Sequence, residues 1–220
     1  MRTLFRFSVI AIAIAFFWPT ATISAQPAAT LWDAAIGGNN HRYEAVYVEA
    51  GLSWTAARDA AILRGGYLAS VTSAEENIFI YGLVLDSKFW PQDAQGFFQG
   101  PWLGGFQSTA TGEPTGGWEW VNGDPWTYTN WALSGPINPQ PDNWLGIENY
   151  LGMLSYGPLA PFWNDYQVDP RENAMLGPVT GFIVEYDTPT AVPEPSASAL
   201  IVSGLILLLG FGFVQSKSRI

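Results

Sequence analysis

The sequence predicts an α+β domain set between two apolar chain ends. Three observations lead there. Two capped helical segments come first, near residues 53–64 and 73–85. From Pro91 to Pro170 the composition shifts to Gly, Pro, Trp, Asn and Thr, and no helical period survives. Helices followed by short strands, rather than a strict alternation of the two, is the α+β pattern. Third, an apolar run occupies each terminus and stands apart from the polar middle.

At the N-terminus, Arg2 and Arg6 precede the apolar stretch Phe7–Trp18, and a small-residue stretch ends at Ala25. A charged n-region, an apolar h-region and small residues make residues 1–25 a secretory signal. Residues 26–40 are small and polar and read as a linker. The domain then spans 41–187. Arg42 to Glu49 alternates as an edge strand does. Ser53 is placed to cap a helix bearing Trp54, Ala57, Ala60, Ala61 and Leu63 that stops at Gly65-Gly66. Leu68 to Val71 is a short strand. Ser73 and Glu76 have capping-box spacing, in which the Ser oxygen takes an orphan N–H and the Glu reaches back. The helix they open runs to about Leu85, with Ile78, Phe79 and Leu83 on its apolar side. Later strands are expected at Trp102–Phe106, Trp118–Val121, Tyr150–Leu154, Phe162–Asp165 and Phe182–Tyr186. The long loops between them are the kind that usually carries function.

After the domain, residues 188–196 form a Pro-rich linker. Residues 197–220 follow, with an apolar run from Ala197 to Val214 and then Lys217 and Arg219. That run approaches the length of a bilayer span, and the basic residues behind it would stay on the cytoplasmic side.

Charge and composition exclude several chemistries. All 19 acidic residues lie between the apolar ends, against 5 basic ones, a formal charge of −14 for the exported part. Such a surface repels nucleic acid and attracts cations. The chain has no Cys, so disulfides, thiol nucleophiles and Cys-based zinc sites are ruled out. Its one His, His41, rules out multi-His metal sites and is the only His a Ser-His-Asp triad could use.

One window concentrates hard oxygen ligands. Gln140, Asp142, Glu148, Asn164 and Asp165 fall within 26 residues, in the segments Gln140-Pro141-Asp142, Glu148-Asn149 and Trp163-Asn164-Asp165. Carboxylate and amide oxygens are what Ca²⁺ takes, about six to eight of them at roughly 2.3–2.6 Å. Three carboxylates neutralise the ion, and two amides leave donors for a polar ligand such as a sugar.

From His41 to Tyr186 these segments, taken in order, resemble the C-type lectin-like domain. Leu52-Ser53-Trp54-Thr55-Ala56-Ala57 through Gly65-Gly66-Tyr67-Leu68-Ala69-Ser70-Val71 resembles its first helix and following strand. Trp102-Leu103-Gly104-Gly105 resembles its WIGL motif. Trp118-Glu119-Trp120-Val121-Asn122-Gly123, then Tyr128-Thr129-Asn130-Trp131, resembles the segment leading into its long loop. Ile183-Val184-Glu185-Tyr186 resembles its last strand.

The resemblance implies a C-type lectin-like fold and a sugar-binding Ca²⁺ held by Gln140, Asp142, Glu148, Asn164 and Asp165, with the Asp165 main-chain carbonyl as a further ligand. Gln140, Asp142, Trp144, Glu148 and Asn164 would contact the carbohydrate. Pro141 stands where the family usually has a cis proline. Gln-Pro-Asp implies galactose or N-acetylgalactosamine, where Glu-Pro-Asn would imply mannose-type sugars. Trp144 sits where galactose-type members stack a Trp on the sugar, although only Leu145-Gly146-Ile147 separates it from Glu148 and the usual glycine-rich insertion is missing. Family members commonly carry cysteines near Tyr150 and Val184, so packing must replace the disulfide here.

The tail, with Pro193-Glu194-Pro195, an apolar run and a basic end, resembles the PEP-CTERM sorting signal of Gram-negative bacteria. That implies processing by an exosortase-type protease and a cell-envelope or extracellular location, with transient or permanent anchoring in the inner membrane. The expected function is an exported, calcium-dependent, non-enzymatic binder of a galactose-type glycan or exopolysaccharide. The alternative is a calcium-stabilised structural or protein-binding module that holds no sugar. A retaining glycosidase would need two carboxyls about 5–5.5 Å apart, and a bound Ca²⁺ would occupy both candidates, Asp142 and Glu148.

Overall fold

The structure is a computed structural model that describes residues 29–108, 112–133, 139–157 and 160–187. The signal segment 1–25, the sorting motif Pro193, Glu194 and Pro195, and the apolar tail 197–220 lie outside the described residues. Among the described residues no helix is long and apolar enough to cross a membrane.

Two helices and eight strands make an α+β arrangement. In chain order they are β1 (Thr30–Leu31), β2 (Arg42–Tyr47), α1 (Trp54–Leu63), β3 (Tyr67–Leu68), α2 (Ala74–Gly82), β4 (Phe98–Gln107), β5 (Trp118–Trp120), β6 (Tyr150–Ser155), β7 (Phe162–Tyr166) and β8 (Gly181–Tyr186). The sheet runs β1-β2-β8-β4-β6-β7, with β3 added to β8 and β5 to β4. Its pairings are antiparallel except where β4 meets β8 at Trp102 and Phe182.

Successive residues of a strand point to opposite faces, and this alternation divides the core in two. On β4, Trp102 joins one apolar cluster and Leu103 the other; on β8, Phe182 and Val184 join the first and Ile183 the second. Trp54, Ala57 and Ala61 of α1 close the first cluster, and Ile80 of α2 packs into the second. At the two positions where the resemblance calls for cysteines, Tyr150 lies 4.8 Å, centroid to centroid, from the Trp54 ring, and Val184 is fully buried in the same cluster. Trp163 is the hub of the second cluster. The rings of Trp120, Trp126, Tyr128 and Trp131 lie within 6.0 Å of it, and its indole N–H donates to Asn77 Oδ1 at 2.9 Å.

Several local expectations change. Ser53 caps α1 by accepting from Ala56 N at 3.2 Å. Ser73 caps α2 by accepting from Glu76 N at 3.1 Å. The Glu76 carboxylate, however, reaches back to Thr72 rather than to Ser73, and it also accepts from the Tyr43 hydroxyl. Glu76 and Asn77 therefore face inward while Ile78, expected on the apolar side, is 64% exposed. Hydrogen bonding by Glu76 and Asn77, together with the burial of Ile80 and the packing of Phe79 and Leu83, sets the phase of this helix. It also ends earlier, at Gly82. The 26–40 segment is not wholly a linker: Thr30–Leu31 pairs with β2, and Trp32 is buried. Tyr67–Leu68 replaces the strand expected at 68–71, and β4 is longer than the predicted Trp102–Phe106. His41 Nδ1 lies 2.6 Å from Glu185 Oε1, so the one histidine serves a buried carboxylate.

Candidate metal centre and its cleft

The centre is built where β7 meets the loop that follows the Gln140–Pro141 bond, which is cis. β7 pairs with β6 along its length, Asn164 opposite Gly152 and Asp165 opposite Leu151. This registers both polar residues within the sheet.

The loop is then tied down on Asp165. Its Oδ1 accepts from Asp142 N at 3.2 Å and its Oδ2 from Asn143 N at 2.8 Å. Asn143 adopts a left-handed conformation (φ 45°), one that Asn tolerates better than most residues. From there Asn143 Oδ1 accepts from Glu148 N at 3.0 Å, and Asn143 Nδ2 donates to Glu113 Oε2 at 2.9 Å. Glu148 Oε2 takes Trp144 N at 2.9 Å, closing the turn. Gln140 N donates to Ala132 O at 2.9 Å and fixes the loop's start.

As a result one carboxylate oxygen each from Asp142, Glu148 and Asp165 lies within 4.8 Å of the others. Asp165 is 0% and Glu148 3% exposed, while Asp142 is half-buried. Burial pushes Glu148 up to about 9, with the charges of Asp165 and Asp142 adding to the rise and the Trp144 N–H opposing it. Burial pushes Asp165 up to about 7 against the N–H groups of Asn143 and Asp142. Burial holds Glu148 and Asp165 toward their protonated forms because their charges have nowhere to go; a divalent cation inverts that preference. The all-oxygen donor set, partly buried and pre-tied by backbone hydrogen bonds, fits a hard cation of the Ca²⁺ type.

The five predicted ligands come together. Gln140, Asp142, Glu148 and Asn164 line one cleft of about 380 Å³, with Trp144 on its wall and Asp165 buried beneath the loop. Asn164 Nδ2 donates to the Asp165 carbonyl at 2.6 Å, which orients the amide beside that candidate ligand. Reading the sequence alone misses Asn143 and Glu113, which brace the loop, and Asp93 and Gln99, which also line the cleft. Asn143 carried a signal, an Asn just after Pro-Asp in a tight loop; Glu113, 30 residues upstream, carried none.

No protein-family profile matches the chain. Ladderlectin of Oncorhynchus mykiss is 31% identical over 93 residues, covering 42% of this chain. The match spans 43% of that relative's length. Among solved structures, the C-type lectin CEL-I from Cucumaria echinata superposes with a TM-score of 0.47 at 21% identity, covering 66% of this chain and 89% of that one. The herring type II antifreeze protein superposes with a TM-score of 0.46 at 20% identity, covering 67% and 91%. The chain is thus similar to a curated lectin over part of its length.

Proposed function

We propose that this chain is a C-type lectin-like protein that binds carbohydrate through Ca²⁺ held by Gln140, Asp142, Glu148, Asn164 and Asp165. The observation that carries the reading is the convergence of the Asp142, Glu148 and Asp165 carboxylates within 4.8 Å, with two of the three buried, at a cleft that also presents two amides. The partial likeness to Ladderlectin and the ordered motifs of the sequence support it.

Bound there, Ca²⁺ supplies a positive centre for the lone pairs of two vicinal hydroxyls. The protein does the rest. Its carboxylates accept the hydroxyl protons, its amides donate back, and Trp144 offers a face to the apolar side of a pyranose. The Gln-Pro-Asp order favours galactose-type glycans, an exopolysaccharide among them. The reading is of a binding protein rather than an enzyme, since the cation would engage the carboxyls that hydrolysis would need.

Export through residues 1–25 and sorting through Pro193, Glu194 and Pro195 by an exosortase-type protease, with residues 197–220 in the inner membrane of a Gram-negative cell, complete the proposal. The exposed Leu145 and Ile147 in the same loop favour a second reading, a calcium-stabilised module that docks a protein.

A thermal melt with Ca²⁺, with EDTA, and with Ca²⁺ plus galactose or mannose separates the two. The lectin reading expects a rise with Ca²⁺ and a further sugar-specific rise. A rise with Ca²⁺ alone leaves the protein-docking module, and no response to Ca²⁺ removes both readings.

A further inference from the structure

The cleft does not end at the carboxylates. Asp93, Phe97, Gln99 and Leu154 line it too. Asp93 accepts three hydrogen bonds there. Its Oδ1 accepts from Gln95 N at 2.9 Å and Phe97 N at 2.8 Å, and its Oδ2 accepts from Gln99 Nε2 at 2.7 Å. A carboxylate can only accept, so Asp93 fixes which way the Gln99 amide lies, with the NH₂ group toward the acid and Oε1 away from it.

Gln99 is 2% exposed, and its Oε1 is buried with no hydrogen-bond partner. An orphaned buried acceptor is costly enough that it calls for a donor. The chemistry beside it selects the donor's class. The neighbouring Asp93 disfavours an anion, and a place as buried as this makes a charged group costly to desolvate, so a neutral hydroxyl suits it best. Phe97, half-buried on the same wall, supplies a ring for the apolar face of a pyranose. A volume of about 380 Å³ lies in the range that encloses drug-sized ligands.

We propose that the cleft takes a glycan of at least two linked sugar residues, one on the carboxylate cluster and its neighbour on Phe97 and Gln99, with Gln99 Oε1 accepting a hydroxyl of the second. This rests on the carbohydrate reading above.

The test is calorimetric titration of the full chain in Ca²⁺ with galactose, mannose, and α- and β-linked digalactosides and dimannosides. At least one disaccharide should bind about tenfold tighter than its monosaccharide, the scale of one or two added hydrogen bonds and a ring contact. Gln99→Met and, independently, Phe97→Ala should weaken that disaccharide by about three- to tenfold while leaving monosaccharide and Ca²⁺ affinities unchanged. Phe97→Ala keeps the test open where Gln99→Met fails to fold. Equal affinity for mono- and disaccharides, or equal losses for both in the variants, would overturn the second subsite alone. Ca²⁺ binding with no sugar of either size would overturn the carbohydrate reading on which it rests.

Discussion

Raising the pH from 6 to 8 should tighten Ca²⁺ binding by two to three orders of magnitude. The cation needs its carboxylates ionised, and in the metal-free protein burial holds Glu148 at about 9 and Asp165 at about 7. Below pH 7 the ion must expel a proton from each. Between pH 7 and 9 it must expel one, from Glu148, so the affinity gains roughly tenfold per pH unit there and more steeply below.

The sign for the fold is opposite. Both groups sit above their unfolded values of 4.5 and 3.8. The folded metal-free chain therefore binds more protons than the unfolded one, and its stability falls as pH rises through the window from about 4 to about 9. Calcium should then stabilise more at pH 8 than at pH 6, by several kcal/mol.

The assay is calorimetric titration at pH 6, 7 and 8 in buffers of different ionisation enthalpy, which counts the protons released, paired with melts in EDTA. An affinity that changes less than about threefold across this range, or a metal-free melting point that climbs with pH, would refute the reasoning.

Three further outcomes follow from named contacts. Asp142→Ala should abolish Ca²⁺ binding yet leave the EDTA melting point nearly unchanged, because the half-buried side chain is not part of either apolar cluster; retained calcium affinity would misplace the centre. Asn143→Ala loses the bonds to Glu113 and Glu148 and strains a left-handed residue, so stability should drop by about 1–2 kcal/mol and calcium affinity with it, as chemical denaturation and titration would show. Gly104→Ala would put a methyl 2.3 Å from the Leu68 carbonyl oxygen, and overpacking against backbone should cost about 3 kcal/mol; an unchanged urea midpoint would count against so tight a contact.

How much of this could be read from the chain depends on how local each cause is. The helix caps at Ser53 and Ser73 rest on residues a few positions apart and could be read directly. The strands announced themselves through aromatic and β-branched runs, and the candidate cation ligands through three short motifs. The inward turn of Glu76 and Asn77 could not be read, because their partners Tyr43 and Trp163 arrive from β2 and β7. Residues Thr30 and Leu31 looked like linker because a two-residue strand has no period of its own. Gln99 was invisible for a related reason. Nothing in its neighbourhood along the chain shows that its amide would be pinned by Asp93 in the cleft that Gln140 also lines.

The pairing of Arg42 with Tyr186 and of Thr30 with Tyr43 has a mechanical consequence. The strand β2, which carries β1 on its outer edge, and the last strand, β8, lie side by side and antiparallel, so the two ends of the described fold meet at one corner. A load applied between those ends opens the β2–β8 ladder from its tip, one rung after another, instead of shearing every rung together. Such a module yields softly when stretched between its ends. A pull delivered at the cleft and resisted at Tyr186 takes a different route, crossing β7, β6 and β4 before it reaches β8. The same molecule would then be stiffer along that route than between its two ends.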